Sequence, residues 1–178
     1  LDDVRFLGNR SSGKLGYAVA AEGVRRGFEV ELVSGPTCLA APAGVALLRV
    51  ESALEMQAAL AERFPRCDAL VMAAAVADYR PAARFSGKLK KREGEERLTL
   101  ELVKNPDLLA ELGRSRTPRQ VLVGFALEAQ DALENALRKL VAKGVDWLVL
   151  NGPATLGADE RRVMRQAPIG TGPFRMAE

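Results

Sequence analysis

Short apolar segments alternate with amphipathic ones along most of the chain. Six apolar segments predict β-strands, at residues 4–7, 28–33, 45–50, 69–75, 120–124 and 146–150. Amphipathic patterns between them predict helices, at residues 14–26, 53–64 and 131–143. The last three strand segments are continuously apolar, which is typical of strands buried on both faces of a parallel sheet. This alternation predicts an α/β fold, a three-layer, doubly wound, mostly parallel sheet of the Rossmann-like type.

Residues with strong terminal preferences predict where several helices begin and end. Ser52 is followed three residues later by Glu55, a capping-box pattern that predicts a helix start. Asn105 and Pro106 predict a second start, with the asparagine as N-cap and the proline in the first helical position. Gly144 predicts the end of the helix that begins near residue 131.

One segment interrupts the alternation of strands and helices. Residues 88–91 and 97–103 alternate in polarity on either side of a polar turn that contains Gly94, and this pattern predicts a β-hairpin. The hairpin belongs to an insertion at about residues 84–103. Residues 152–178 are rich in glycine, proline and arginine, which predicts an irregular C-terminal tail. We expect the whole chain to form a single domain that carries this insertion and tail.

Composition limits the classes of function open to a chain of 178 residues. Lys and Arg total 26 against 23 Asp and Glu, and aromatic residues make up 5%, so we expect no nucleic-acid partner. No apolar run reaches the ~18 residues that span a bilayer, and no signal peptide is recognisable, so we expect no membrane insertion. Histidine is absent, which excludes a Ser-His-Asp triad and most catalytic zinc sites.

The N-terminus and the cysteines bear on the origin and location of the protein. The chain begins at Leu1 rather than at a methionine, so we expect a fragment of a longer protein. Cys38 and Cys67 lie far apart without a CxxC spacing, so we expect buried, unpaired thiols rather than a disulfide or a metal site. Unpaired thiols suit a reducing compartment, and we expect the protein to be cytoplasmic.

The first candidate site is the polar turn after the segment at residues 4–7. The turn consists of Gly8, Asn9, Arg10, Ser11, Ser12, Gly13 and Lys14. A strand that ends in small, hydroxylated and glycine residues before a helix presents backbone N–H groups to phosphate. The turn is an incomplete P-loop, because Leu15 stands where the Mg2+-binding hydroxyl belongs. A tight turn without a ligand is the structural alternative.

Two further features have both a functional and a structural interpretation, and a third has a strong structural one. Alanines at residues 73–75, followed by Asp78, either admit a ligand close to the backbone or serve helix packing and a turn. The lysines within residues 88–91 either place ammonium groups over a polyphosphate or protect a sheet edge from aggregation. Lys139 and Lys143 share one helix face, near the end where cations complement the helix dipole.

Several of these segments together resemble the phosphopantothenoylcysteine synthetase domain of coenzyme A biosynthesis. The matching runs, in the family's order, are VRFLGNRSSGKLGY, ELVSGPT, SALEM, AAAVADYRP, KLKK, LVKNPDLLAELG and VGFALE. They extend over roughly residues 4–151. The resemblance implies a Rossmann-like fold, a homodimer and an origin as the C-terminal half of a bifunctional protein. The flavin-dependent decarboxylase domain of that protein is not expected in this chain, and neither is a flavin.

The resemblance implies a reaction that joins 4′-phosphopantothenate to L-cysteine with CTP as co-substrate. The phosphopantothenate carboxylate attacks the α-phosphate of CTP, giving an acyl-cytidylate and pyrophosphate. The cysteine amine then attacks the acyl carbon and releases CMP. The resemblance also implies Mg2+, and some eukaryotic relatives use ATP in place of CTP. Since the substrate carboxylate is the nucleophile, a chain without histidine is able to perform this chemistry.

The resemblance also implies roles for individual residues. Asn9 and Lys88 match catalytic positions: Asn9 acts on the acyl group during amide formation, and Lys88 neutralises charge as pyrophosphate leaves. The residues expected to bind the nucleotide are Ser11, Ser12, Gly13, Asp78, Lys88, Pro106, Asp107, Leu108, Leu109, Phe125, Lys139 and Lys143. The residues expected to bind phosphopantothenate are Asn9, Arg10, Ala74 and Ala75. Asp78 is also the candidate ligand for Mg2+.

Two other functions remain open from the residues. An NAD(P)-binding oxidoreductase would share the fold, but GxGxxG is missing and Ser34-Gly35-Pro36 stands where an acidic residue would bind ribose hydroxyls. A nucleotide-binding domain that has lost catalysis is the second alternative, because residues 152–178 do not match the family's C-terminal pattern. The presence of both Asn9 and Lys88 argues against such a loss.

Overall fold

A computed structural model describes residues 1–90, 94, 96–126 and 132–150 of the chain. The helices are α1 (Lys14–Arg25), α2 (Ala53–Arg63), α3 (Leu108–Ser115) and α4 (Ala132–Lys143), and a 3-10 turn at Phe64–Arg66 follows α2. The strands are β1 (Glu31–Ser34), β2 (Ala46–Arg49), β3 (Ala69–Met72), β4 (Tyr79–Pro81), β5 (Leu102–Lys104), β6 (Val121–Ala126) and β7 (Trp147–Leu150). Within these ranges no helix has the length and apolar character that a bilayer crossing requires. The tail predicted at residues 152–178 lies outside the described residues.

Most strands of the described chain pair in parallel. β6 is the central strand of a three-stranded sheet, with β3 on one side and β7 on the other, both parallel to it. β1 and β2 form a second parallel pair, with Leu32 opposite Leu47. β4 and β5 form an antiparallel pair, with Arg80 opposite Val103. The mostly parallel α/β architecture predicted from the sequence is therefore confirmed.

One hydrophobic cluster joins both parallel sheets to the helices. Its buried members are Val50, Met56, Ala59, Leu60, Phe64, Leu108, Leu109, Leu112, Leu122 and Val145. Partly buried side chains from both parallel sheets pack against it, namely Val33, Leu48, Leu70, Met72 and Leu148. The Leu122 side chain, in β6, is completely buried. Because burial of apolar surface is the main favourable term in folding, this cluster holds the two sheets in one unit.

Helices α3 and α4 are in backbone contact. A Cβ atom on Gly113 would overlap the Lys143 carbonyl oxygen, so only glycine fits at this position. Gly144 follows with φ +60°, the left-handed conformation in which many helices end. At the start of β7, the Asp146 carboxylate accepts the amide of Leu122 in β6 at 2.8 Å. These contacts fix α3, α4 and β7 relative to β6.

Residues 4–7, predicted as the first strand, form no strand. The Asp2 carboxylate accepts the amides of Val4 and Arg5 at 2.9 and 2.8 Å, so these N–H groups are not available to a sheet. Phe6 is 80% exposed. The prediction was wrong because the apolar pattern does not reveal that a nearby carboxylate bonds the backbone in place of a neighbouring strand.

The antiparallel ribbon, β4 with β5, lies at the base of the insertion rather than at the predicted hairpin. Residues 88–90 and 97–101 form no strand, and Lys91 lies outside the described residues. Leu89 donates its amide to the Asp2 carboxylate at 3.0 Å rather than to a partner strand. The alternating polarity of this segment therefore predicted a strand in a place where the structure has a loop.

The predicted helix starts are confirmed at one position and wrong at another. Ser52 Oγ accepts the Glu55 amide at 3.2 Å, so the capping box before α2 is confirmed. The N-cap of α3 is Asp107 rather than Asn105, since the Asp107 carboxylate accepts the Ala110 amide at 3.1 Å. Asn and Asp are equally good N-caps, so residue type alone could not choose between these two positions.

Burial differs from the predictions at a strand and at a cysteine. Val71 in β3 is 42% exposed, so the described residues do not cover this strand on both faces. Cys38 is exposed and Cys67 is half-buried, and neither forms a disulfide. Burial raises the pKa of the Cys67 thiol, which keeps it protonated at neutral pH. The thiols are therefore unpaired as predicted, but that of Cys38 is not buried.

We expect the substitution Gly113→Ala to lower the free energy of unfolding by roughly 2–4 kcal/mol. The added methyl group would overlap the Lys143 carbonyl oxygen, and this outweighs the gain of about 1 kcal/mol that alanine brings to a helix. Urea unfolding of Gly113→Ala and Gly35→Ala gives the comparison, because a Cβ atom on Gly35 meets no atom within 4 Å. Equal unfolding midpoints for the two variants would contradict the prediction.

Candidate functional site

The turn before α1 is built from a glycine and two hydroxyl side chains. Gly13, the N-cap of α1, has φ +72° and no side chain with which to bond the amides that follow. Ser11 Oγ accepts the Gly13 amide and Ser12 Oγ accepts the Lys14 amide, both at 3.4 Å. Thr37 Oγ1 donates to the Ser12 carbonyl at 3.3 Å. A helix start favours an anion through its backbone N–H groups, and here those of Gly13 and Lys14 are bonded by the serine hydroxyls.

The loop at residues 35–39, which follows β1, is held beside this turn by Arg49. Arg49 donates to the carbonyl of Thr37 at 3.2 Å and to that of Leu39 at 3.0 Å. Below the loop, Tyr17 OH donates to Ser34 Oγ at 3.2 Å, and both residues are buried. Sequence reasoning missed these residues, although the run ELVSGPT contains two of them and could have drawn attention to the loop.

Asn9 lies against the alanine-rich loop at residues 73–78, which follows β3. Its Nδ2 atom donates to the carbonyl of Val76 at 3.2 Å and to that of Ala75 at 3.4 Å. A Cβ atom on Gly16 in α1 would lie 3.8 Å from the Ala73 Cβ atom, so the helix approaches the same loop closely. The structure therefore brings the predicted residues Asn9 and Ala75 together. The predicted residues Arg10 and Ala74 are their neighbours in the sequence, and the side chains of both are exposed.

Asn105 connects the alanine-rich loop to the chain before α3. It is 7% exposed, and its Nδ2 atom donates to the Ala77 carbonyl at 2.8 Å. Its Oδ1 atom accepts from Arg80 Nη1 at 3.1 Å. Its backbone amide donates to the Asp78 carbonyl at 2.7 Å. The buried Asn105 side chain therefore holds the loop at residues 73–78 to the segment before α3. The Asp78 carboxylate is exposed.

The start of α3 carries an ion pair between two of the predicted residues. Asp107 Oδ1, which caps α3, lies 3.4 Å from Lys143 Nζ at the end of α4. Both side chains keep part of their surface exposed, with 48% for the carboxylate and 31% for the lysine. At such exposure an ion pair contributes at most about 1 kcal/mol to stability. The Lys143 charge is therefore near Pro106 and Asp107 but is already partly neutralised.

Several predicted nucleotide-binding residues serve the core. Leu108 and Leu109 are 5% and 6% exposed, so only their backbone groups could reach a ligand. Phe125 lies in β6 and is half-buried. Lys139 is half-buried in α4, one helical turn before Lys143. A nucleotide at this place would meet backbone amides and the edges of apolar side chains.

Lys88 lies in the loop between β4 and β5. Its side chain is exposed. Among the described residues there is no group of three or more His, Cys, Asp and Glu side chains that could hold a metal ion. Asp78 therefore has an exposed carboxylate that belongs to no such group within the described part of the chain.

The fold and these loops define a Rossmann-like α/β domain with a candidate ligand site beyond its parallel strands. The loops at residues 35–39 and 73–78 follow the carboxyl ends of β1 and β3, where open α/β sheets bind ligands. The chain belongs to the family of DNA/pantothenate metabolism flavoprotein C-terminal domains, which it matches over residues 1–167. The resemblance recognised in the sequence is therefore confirmed.

Known relatives and solved structures agree with this family. The coenzyme A biosynthesis bifunctional protein CoaBC of Mycobacterium tuberculosis is 48% identical over 162 residues, which cover 85% of this chain and 38% of that protein. A crystal structure of the C-terminal domain of a CoaBC protein superposes with a TM-score of 0.73 at 40% identity, covering 84% of this chain and 69% of that domain. A Cab2 mutant in complex with phosphopantothenate-cysteine has a TM-score of 0.68 at 17% identity, over 89% of this chain and 72% of that one, and shows the shared fold alone. The chain spans about two fifths of the length of the curated relatives it matches.

We expect Asn105→Ala to lower the free energy of unfolding by about 1–3 kcal/mol. The substitution leaves the Ala77 carbonyl and the Arg80 guanidinium without their buried partner. Urea unfolding measures the loss, and Thr99→Ala serves as a control because the Thr99 side chain is exposed. If both variants unfold at the same urea concentration, Asn105 does not hold the two loops together.

Proposed function

We propose that this chain is a CTP-dependent ligase that joins 4′-phosphopantothenate to L-cysteine in coenzyme A biosynthesis. The contact of Asn9 with the loop at residues 73–78 carries the proposal, because an amide side chain beside a loop at the carboxyl end of a parallel strand supports a ligand site there. Identity of 48% to a CoaBC protein supports the same function. The NAD(P)-binding alternative has no comparable support, since Ser34-Gly35-Pro36 ends β1 without an acidic residue.

The proposed chemistry asks the protein to align anions rather than to supply a nucleophile. A carboxylate oxygen of phosphopantothenate bonds to the α-phosphorus of CTP, and the bond to the pyrophosphate oxygen breaks. The cysteine nitrogen then bonds to the acyl carbon, and CMP leaves with the electrons of the acyl–oxygen bond. Two like-charged reactants must be held close in the first step, so positioned N–H groups and cations are the main source of catalysis.

The nucleotide is assigned to the start of α1 and the start of α3. A phosphate at this turn would replace the Ser11 and Ser12 hydroxyls on the amides of Gly13 and Lys14, and the hydroxyls would then donate to the phosphate. Residues 106–109 would offer the backbone of the α3 start, and Phe125 and Lys139 are assigned to the nucleotide on the family resemblance. Lys143 supports Asp107 through its ion pair. Mg2+ would be held by the nucleotide phosphates together with the exposed Asp78 carboxylate, because this ion usually keeps few protein ligands.

Asn9 and Lys88 are assigned to the two chemical steps. Lys88 would neutralise the charge that develops as pyrophosphate leaves, acting as a point charge. Because the Nδ2 atom of Asn9 donates to the carbonyls of Ala75 and Val76, its side-chain oxygen is the group available to the substrates. That oxygen would accept from the cysteine amine as it approaches the acyl carbon. Phosphopantothenate would lie along Arg10 and the loop at residues 73–78.

The assembly of the whole protein is also part of the proposal. The family resemblance supports a homodimer and a flavin-dependent decarboxylase domain fused to this one in a longer protein. The curated relatives, of which this chain matches about two fifths, are named bifunctional proteins.

A pyrophosphate-release assay tests the ligase function directly. We expect release only when both CTP and 4′-phosphopantothenate are present with Mg2+, followed by release of CMP when L-cysteine is added. Thermal-shift titration with CTP, ATP and NADPH separates this function from the alternatives. Stabilisation by NADPH but not by CTP would favour an oxidoreductase, whereas CTP binding without pyrophosphate release would indicate a domain that has lost catalysis.

We expect Lys88→Gln to slow pyrophosphate release roughly 100-fold, because one charge-stabilising group is lost from the transition state. Affinity for CTP, measured by thermal shift, should change much less. The matched control is Lys104→Gln, at an exposed lysine of β5, which should stay within about 2-fold of the wild-type rate. An unchanged single-turnover rate in Lys88→Gln would remove Lys88 from the proposed step.

We expect Asn9→Asp to form the acyl-cytidylate but to convert it to product slowly, so that the intermediate accumulates. The new carboxylate would face the carbonyl oxygens of Ala75 and Val76, which repel it and displace it from the substrates. Quenched reactions separated by chromatography measure the intermediate. Asn135→Asp is the control, since Asn135 Oδ1 accepts from Arg138 and aspartate keeps that acceptor. Absence of the intermediate in Asn9→Asp, with wild-type turnover intact, would refute this role.

A further inference from the structure

Asp2 is a buried carboxylate at the start of an exposed segment. Its side chain has 0% exposed surface, whereas the residues that follow it are exposed. Its Oδ1 atom accepts the amides of Val4 and Arg5 at 2.9 and 2.8 Å and closes a local turn. Its Oδ2 atom accepts the Leu89 amide at 3.0 Å and the Arg5 guanidinium. The two oxygens therefore have different partners, one set local and the other including the loop that carries Lys88.

Both residues that flank Lys88 are hydrogen-bonded to this N-terminal segment. Arg5 Nη2 donates to the Leu89 carbonyl at 3.0 Å, so Leu89 is held through its N–H and its C=O. On the other side, the Asp3 carboxylate accepts the Gly87 amide at 2.8 Å. Gly87 has φ +69°, a conformation that favours glycine. The backbone around Lys88 is thus fixed from both sides, while its side chain is exposed.

The charge of Asp2 strengthens this attachment. The Arg5 guanidinium, together with the amides of Leu89 and Val4, holds the pKa of the Asp2 carboxyl well below its usual range. The group is therefore ionised at neutral pH, and hydrogen bonds to an ionised acceptor are shorter and stronger than those between neutral groups. A neutral side chain of the same shape would hold the Leu89 peptide less firmly.

We propose that Asp2 is a positioning residue for the ligase reaction: its Oδ2 atom fixes the Leu89 peptide and so directs the Lys88 ammonium to the reacting phosphate. This inference rests on the proposed function, in which Lys88 acts as pyrophosphate leaves. Lysine has a long flexible stem, and a fixed backbone on both sides reduces the volume that the ammonium samples. A charge that is already in place accelerates the reaction more than one that must first be ordered.

The substitution Asp2→Asn separates the two functions of the side chain. The amide oxygen keeps the local turn with Val4 and Arg5, but the amide nitrogen replaces Oδ2 and faces the donors of Leu89 and Arg5. Hydrogen-bond donors would then face each other, and the loop that carries Lys88 would be released. We expect kcat for pyrophosphate release to fall at least ~10-fold while KM for CTP changes less than ~3-fold. Glu22→Gln is the control, an exposed carboxylate paired with Arg25 on α1, and it should retain the wild-type rate.

A double-mutant cycle shows whether Asp2 acts through Lys88. If it does, the double variant should release pyrophosphate less than ~2-fold more slowly than the Lys88→Gln variant. If the two residues act independently, their effects multiply, and this result would overturn the proposal. Amide hydrogen exchange provides a readout besides activity: the Leu89 amide should exchange faster in Asp2→Asn than in the wild type, and unchanged exchange contradicts the proposed contact. If Asp2→Asn does not fold, Asp3→Asn, which releases the Gly87 amide, must show the same selective loss of kcat.

The assay distinguishes failure of this inference from failure of the proposed function. A wild-type chain that releases no pyrophosphate from CTP and 4′-phosphopantothenate overturns the ligase assignment and with it the part given to Asp2 in that reaction. A wild-type chain that is active, together with an Asp2→Asn variant of normal kcat, overturns the inference alone.

Discussion

A glycine, Gly124, stands near the centre of β6, and helix α3 packs directly on the strand at this point. A Cβ atom on Gly124 would lie 2.7 Å from Leu109 Cδ2 and 3.0 Å from Leu148 Cδ1, so both leucines occupy the space that a side chain would need. This close packing holds α3 on the sheet between β3 and β7. The start of α3, with Asp107 as its cap, is consequently at a fixed position relative to the strand ends. The polar residues of the candidate site depend on this apolar contact for their arrangement.

The loops of the candidate site are fixed by side chains rather than by strand pairing. Asn9 and Asn105 both bond carbonyls in the loop at residues 73–78, and Arg49 bonds carbonyls in the loop at residues 35–39. Peptide groups outside a sheet or helix need other partners, so these contacts satisfy groups that would otherwise depend on water. Several polar residues therefore hold the backbone in place, and the surfaces left open to a ligand are mainly peptide groups and small side chains.

Prediction from the sequence was successful for most of the helices and for the parallel strands that follow them. The helices before Gly27 and Gly144 are present, and so are the parallel strands that contain Leu122 and Leu148. Motif reasoning brought Asn9 and the loop at residues 73–78 into one site. It could not tell that the side chains of Leu108 and Leu109 belong to the core, because an apolar residue in a ligand-binding motif looks the same whether it contacts ligand or strand.

Periodicity along the chain determined which segments are helices and buried strands, because each such element must present one apolar face to a common core and this leaves a local pattern. Only the tertiary structure decided which backbone groups are bonded by distant side chains. Asp2 and Leu89 are 87 residues apart in sequence, yet their hydrogen bond replaces a predicted strand with a loop. Asn105, whose residue type suits a helix cap, is used instead to join two loops. A hydrogen bond needs its partners within a few ångströms, and the three-dimensional path of the chain decides which residues meet that condition.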